Sequence, residues 1–163
     1  MKRDWYVLHV KPRTEKKVMS FISHWGYFGH LPTYTKITKI QRRKIRRELP
    51  CFPGYVFARL SPEERVTMLK TNLIVQTIQV PRPRPMIHQL RQIARAARRA
   101  PDMKPAKMCS IGEYVKIVSG PLYGVEGYVV RYGREASLCL NVEILGAAVE
   151  VSVSTEDIRV NPK

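Results

Sequence analysis

Between residues 100 and 107 the chain reads Ala-Pro-Asp-Met-Lys-Pro-Ala-Lys, with two prolines and no apolar period. Such a stretch reads as a linker. It divides the 163-residue chain into parts that follow different patterning rules. Before it, apolar periods of two and of 3.6 alternate. After it, only strand-like alternation and glycine turns occur. One continuous core built from one kind of element is therefore excluded, and a front module of 1–100, a linker of 101–109 and a back module of 110–163 are expected. Charge divides at the same place. The net charge is +16, yet residues 1–100 carry 22 basic and 5 acidic side chains while residues 110–163 carry 5 and 7. The front module is expected to meet a polyanion, and the back module is not.

In the front module, Trp5-Tyr6-Val7-Leu8-His9-Val10 reads as a buried strand. Thr14 and Glu15 suit a helix start, and Val18, Phe21, Ile22 and Trp25 share one helical face that Gly26 ends. Leu31 to Ile40 reads as a second strand and residues 41–50 as a basic loop or hairpin tip. Tyr55 to Leu60 is a third strand. Ser61-Pro62-Glu63-Glu64 combines a cap, a first-turn proline and first-turn acids, so a helix over 62–70 follows. Ile74 to Val80 is a fourth strand, and Ile87, Leu90, Ala94 and Ala97 share a face of a last helix. The order β-α-β-β-α-β predicts an α+β, ferredoxin-like split βαβ domain. In the back module, strands over 114–118, 127–132, 137–144 and 147–153, punctuated by glycines, predict a small all-β barrel. The valines of these segments favour strands over helices.

Some function classes lose support at once. No apolar window is long enough for a membrane span, and no apolar stretch suited to a signal peptide follows the N-terminus. Cys51, Cys109 and Cys139 form no CxxC pair, so neither a disulfide framework nor a zinc site is expected, and a cytoplasmic setting is the simplest. His9, His24, His30 and His88 lack metal-ligand spacing. No phosphate-binding or nucleophile motif is present, so no cofactor, no metal and no catalysis are expected.

Three motifs in register carry a resemblance. Trp5 to Arg13 opens the chain, Phe52-Pro53-Gly54-Tyr55-Val56-Phe57 leads the third strand, and Ile111-Gly112-Glu113-Tyr114-Val115-Lys116 runs on to Gly120, with Gly127 seven residues further. In that order they resemble the NusG family of transcription elongation factors, over nearly the whole chain. Lys11-Pro12-Arg13 and Glu48-Leu49-Pro50-Cys51-Phe52-Pro53 resemble the specialised, RfaH-like paralogues. The resemblance implies a front domain that binds the clamp of bacterial RNA polymerase and a back domain carrying the KOW motif. It implies suppression of pausing or termination, without bond chemistry, by a cytoplasmic monomer. It also implies that the KOW domain recruits a second factor, ribosomal protein S10 or Rho. The chain departs from the family before the fourth strand, where Asn72-Leu73-Ile74-Val75 replaces an Arg-Gly or Pro-Gly.

On these grounds Trp5, Phe52, Tyr55 and Phe57 are the candidate polymerase-binding residues, anchor aromatics of an apolar depression, although core packing explains Trp5 and Phe57 equally well. Lys11, Arg13, Lys16 and Lys17 cluster at the first strand-to-helix junction. In RfaH-like members this edge faces non-template DNA. Arg42, Arg43, Lys44, Arg46 and Arg47 place five positive charges in six residues, which suits phosphate, with DNA or nascent RNA as the source. Val125, Ile144 and Leu145 match positions that present apolar groups to a KOW partner. The alternative is a KOW-containing RNA-binding ribosomal or ribosome-assembly protein. A barrel of that kind should be basic, whereas residues 110–163 are slightly acidic.

Overall fold

A computed structural model of the chain describes residues 2–100, 102–109, 112–131, 133 and 135–160. Pro101, Ile111 and Tyr132, which belong to the linker, KOW-motif and strand expectations, lie outside the described residues. The chain packs as two compact units, Met1–Pro32 with Phe52–Pro83, and Thr33–Cys51 with Arg84–Lys163.

The first unit is the expected ferredoxin-like domain. Its strands are β1 (Asp4–Val10), β2 (Phe28–His30), then β5 (Tyr55–Leu60) and β6 (Ile74–Gln79), with helices α1 (Glu15–His24) and α2 (Pro62–Leu69). Strands β3 and β4 fall between β2 and β5 in the chain and belong to the second unit. The sheet order is β2-β5-β1-β6, and every neighbouring pair is antiparallel. This is the split βαβ arrangement.

Alternation along β1 and β5 sorts the sheet into two faces. Tyr6, Leu8, Val10, Val56, Ala58 and Leu60 form one buried cluster with Val18 and Ile22 of α1 and Met68 of α2. Each such side chain, fully buried, contributes about 1.5–3 kcal/mol. Gly29 of β2 lets α1 come close, since a Cβ there would lie 2.7 Å from Ile22 Cγ2. Helix α1 stops at Gly26, whose φ of +72° suits glycine. Trp25, expected on the apolar face, is the C-cap residue and is exposed. Helix α2 has the full capping box: Ser61 Oγ accepts from the Glu64 amide at 3.2 Å, and Glu64 Oε2 accepts from the Ser61 amide at 3.5 Å. Thr14 does not cap α1 through its side chain, because its hydroxyl donates to the Lys11 carbonyl instead.

In the second unit, β3 (Thr33–Ile40) and β4 (Arg43–Pro50) form a two-stranded hairpin. The basic segment expected as a loop or hairpin tip is the turn and second strand of this hairpin, and the strand expected over Leu31 to Ile40 is its first strand rather than part of the four-stranded sheet. Helix α3 spans Pro83–Ala97. Its buried residues are Met86, Leu90, Gln92, Ile93 and Ala96, so the inward stripe runs beside the expected Ile87, Ala94 and Ala97. The longer Met86 and Ile93 take the core, and Gln92 is drawn in by a hydrogen bond described below. A six-stranded antiparallel sheet follows: β7 (Lys104–Lys107), β8 (Glu113–Ile117), β9 (Glu126–Arg131), β10 (Glu135–Val142), β11 (Ala147–Ser154) and β12 (Ile158–Val160), ordered β12-β8-β9-β10-β11-β7. It is the strand-only KOW-like domain expected from the sequence. Ala136, Leu138, Leu140 and Val142 bury every second position of β10. Part of the expected linker is ordered, since Lys104–Lys107 pairs along β11 as an edge strand. Pro105 is accommodated because an edge strand leaves one row of amides unpaired.

Candidate functional site

The sheet face opposite the helices of the first unit collects three of the four candidate aromatics. Register places Trp5 beside Arg59, Val7 beside Phe57 and His9 beside Tyr55. Phe28 of β2 also pairs with Arg59, in line with Trp5 across the sheet. Trp5 is half-buried and meets the exposed Phe28 edge-on at 5.4 Å. Tyr55 is half-buried and stacks on His9 at 5.1 Å. Its amide donates to the Phe52 carbonyl at 3.1 Å across the Pro53-Gly54 turn. Phe57 is fully buried, and Phe52 is only 3% exposed. The expectation that Phe52 faces solvent is therefore corrected: its ring is packed away, and Tyr55 is the aromatic of this turn that remains accessible.

The sequence reading missed an aromatic cluster at one end of the sheet. Phe21 stacks on Trp25 at 5.4 Å, and Trp25 lies 5.9 Å from Tyr27. Phe28 is 58% exposed. Arg3, Trp5, Gly26, Tyr27, Phe28 and Arg59 line a shallow depression there. Phe21 and Trp25 share the helical period read above, but Tyr27 and Phe28 carry none, so only the fold gathers them.

Lys11, Arg13, Lys16 and Lys17 are all exposed around the turn into α1. The turn is closed by the Thr14 amide donating to the Lys11 carbonyl at 3.2 Å. Arg13 sits at φ +63°, a conformation that costs a residue with a Cβ. Glu15 is buried among these cations in the chain, and its Oε1 has no hydrogen-bond partner. The helix N-terminus adds partial positive charge to the cluster.

The hairpin carries the second basic group. Arg42, Arg43, Lys44, Arg46 and Arg47 are all exposed. Lys36 lies opposite Arg47, and Lys39 opposite Lys44. The two-residue turn is Gln41-Arg42, at φ +48° and +67°. At the base, Thr33 Oγ1 donates to Glu48 at 2.9 Å. Burial holds the Cys51 thiol up at about 12, so it is no nucleophile at neutral pH. Burial, then Cys51, raises the Tyr34 phenol.

In the β domain, Val125 is 1% exposed. This corrects the expectation that it presents an apolar group. Its neighbour Tyr123 is 71% exposed, which the sequence reading missed. Ile144 and Leu145 are half-buried in the turn after β10. Helix α3 accepts hydrogen bonds from the start of β9 and from the turn after β10. Gln92 Oε1 accepts from the Glu126 amide and Gln89 Oε1 from the Glu143 amide, each at 3.1 Å. Tyr114 donates to Glu126 Oε2 at 3.0 Å, and burial together with that carboxylate pushes its phenol up to about 12. Burial also raises Cys139, to about 11. Among the described residues, no three His, Cys, Asp or Glu side chains form a metal-ligand group, and no helix is long and apolar enough to cross a membrane.

Residues 3–96 match the family model described as "Transcription termination factor nusG". That span is more than half of the chain, so the chain belongs to the NusG family, whose members are transcription factors and not enzymes. Among solved structures, the chain is similar to that titled "Domain interaction in Thermotoga maritima NusG", with 21% identity, 99% of each chain covered and a TM-score of 0.54. At that identity the likeness shows the fold. A chain from the MjSpt4:Spt5 complex shares 16% identity over 98% of this chain and 97% of that one, at a TM-score of 0.31, and carries no argument. No curated protein sequence gives a significant match.

Proposed function

We propose that this chain is an elongation and antitermination factor of the RfaH-like kind, which binds the clamp of bacterial RNA polymerase in the cytoplasm as a monomer. The observation that carries the reading is the sheet face opposite α1 and α2. It aligns Trp5, Arg59 and Phe28 in one row and Tyr55 with His9 in another, on a domain of the NusG family. Half-exposed aromatics held in rigid strands suit interface anchors, since little side-chain freedom is lost on binding. Trp5 and Tyr55 make the contact in this reading. Phe52 and Phe57, being buried, hold the turn and strand that carry Tyr55.

Residues 1–100 act as the polymerase-binding domain, and 110–163 as the KOW domain reached through 101–109. Lys11, Arg13, Lys16 and Lys17 face non-template DNA, and the hairpin cations meet nucleic acid. Ile144 and Leu145 recruit a second factor, ribosomal protein S10 or Rho. The factor shortens pauses because it favours the elongating state of the polymerase over the paused one. Co-elution with core polymerase tests the reading: the wild type is expected to co-elute, and Trp5→Ala/Tyr55→Ala to lose it while keeping its melting temperature. Equal co-elution of both proteins would overturn the assignment of this face.

A further inference from the structure

We propose that the β3–β4 hairpin is an arm that inserts into the major groove of duplex DNA, with one face toward each phosphate wall. The proposal deepens the nucleic-acid part of the reading above and rests on it.

The first observation is exposure. Residues 35–48 are exposed on both faces, apart from the half-buried Thr38. An isolated two-stranded hairpin is marginal in water, and nothing in the described structure covers this one. The second is the way charge is divided. Register puts Lys36, Arg43 and Arg47 on one face, and Lys39, Lys44 and Arg46 on the other. A ribbon that lay flat on a polyanion would need cations on one face only. Here each face carries three. The third is cost. Lys36 opposite Arg47 and Lys39 opposite Lys44 are like charges in directly paired positions, which destabilise a sheet. The turn puts two side-chain-bearing residues at positive φ. Phosphate on both sides removes the repulsion on both faces together.

The occupant follows from shape and chemistry. Strands of eight residues span roughly 27 Å at about 3.4 Å each, and a two-stranded ribbon fits a B-DNA major groove about 12 Å wide. The A-form RNA major groove is too deep and narrow to admit it. Single strands are held by stacking on aromatic side chains, and residues 35–48 contain none. Ile37, Ile40 and Ile45 are exposed among the cations and offer apolar contact to thymine methyl groups.

The test uses the full-length protein without polymerase, so it reads the arm and not the clamp. Affinity for labelled duplex DNA is measured between about 0.05 and 0.2 M salt for wild type and two triple variants. These are Lys36→Gln/Arg43→Gln/Arg47→Gln and Lys39→Gln/Lys44→Gln/Arg46→Gln. Each triple is expected to lower the slope of log affinity against log salt by about 2.7, at about 0.9 per phosphate. Wild type is expected to protect guanine N7, a major-groove atom, from methylation, and both triples to lose that protection. A slope change in only one triple overturns insertion but leaves nucleic-acid contact by the hairpin standing. No change in either overturns both. Unprotected N7 under wild type, or tighter binding of single-stranded or duplex RNA than of duplex DNA, overturns the major-groove assignment directly.

Discussion

The sheet of the first unit and the β3–β4 hairpin are both antiparallel, yet they are stabilised in opposite ways. In the sheet, Leu8, Val56 and Leu60 are fully buried against α1 and α2. In the hairpin, six cations occupy the two faces and the isoleucines stand in solvent. Period two is present in both. Burial makes the first a core, and its absence makes the second an exposed, strongly basic surface. The sheet is stabilised within its own unit, and under the proposal above the hairpin is completed by DNA. Stability and function are thus separated along one chain, which leaves the hairpin free to carry charge that no core would tolerate.

The largest effect expected to sharpen this contrast comes from paired truncations. Phe57→Ala in the sheet should cost about 3–5 kcal/mol in denaturant unfolding. Ile37→Ala in the hairpin should stay within about 0.5 kcal/mol. Comparable losses would break the comparison. A smaller effect is expected at the turn. Replacing Gln41-Arg42 by Asn-Gly suits the positive φ at both positions. It should steady the hairpin by about 1 kcal/mol, read as an about fivefold slowing of amide exchange at its paired residues. No slowing would mean that the turn is not strained. The smallest effect is a pH dependence confined to the sheet. Burial lowers the His30 pKa in the folded state. As pH falls below about 6.5, the unfolded chain takes up a proton at this position before the folded one does, so stability falls with pH. Above that value the contribution is flat. His30→Gln should reduce this acid slope, and an unchanged slope would show that His30 does not couple to folding.

How much was legible in the sequence follows the same division. Buried alternation gave β1, β5 and β6 of the first unit, and Ser61-Pro62-Glu63-Glu64 gave the start of α2 with its capping box, whereas the three-residue β2 was too short to show a period and the expected second strand is the hairpin's β3. Strands β8 to β11 were legible from their valines and glycines, while the three-residue β12 was not. Strand β4 was not, because Arg43 to Arg47 has no buried side and hence no hydrophobic period. Its turn lacks the glycine or asparagine that would announce it. Strand β7 was hidden by Pro105, which an edge position tolerates. At the site, Tyr55 and Trp5 were found as strand aromatics, and the register of β1 with β5 is what puts them on one face. The burial of Phe52 and Val125 depends on tertiary packing that no local pattern encodes. Phe28 and Tyr123, lone exposed aromatics, gave no signal at all.

The most direct test of the account is binding to core RNA polymerase at about 0.3 M salt, where phosphate contacts are strongly weakened. Wild type, Trp5→Ala/Tyr55→Ala and the two hairpin triples are compared. The account predicts that wild type and both triples stay bound while the aromatic variant is released. Release of the triples with retention of the aromatic variant would contradict it, because the hairpin and not the sheet face would then hold the polymerase.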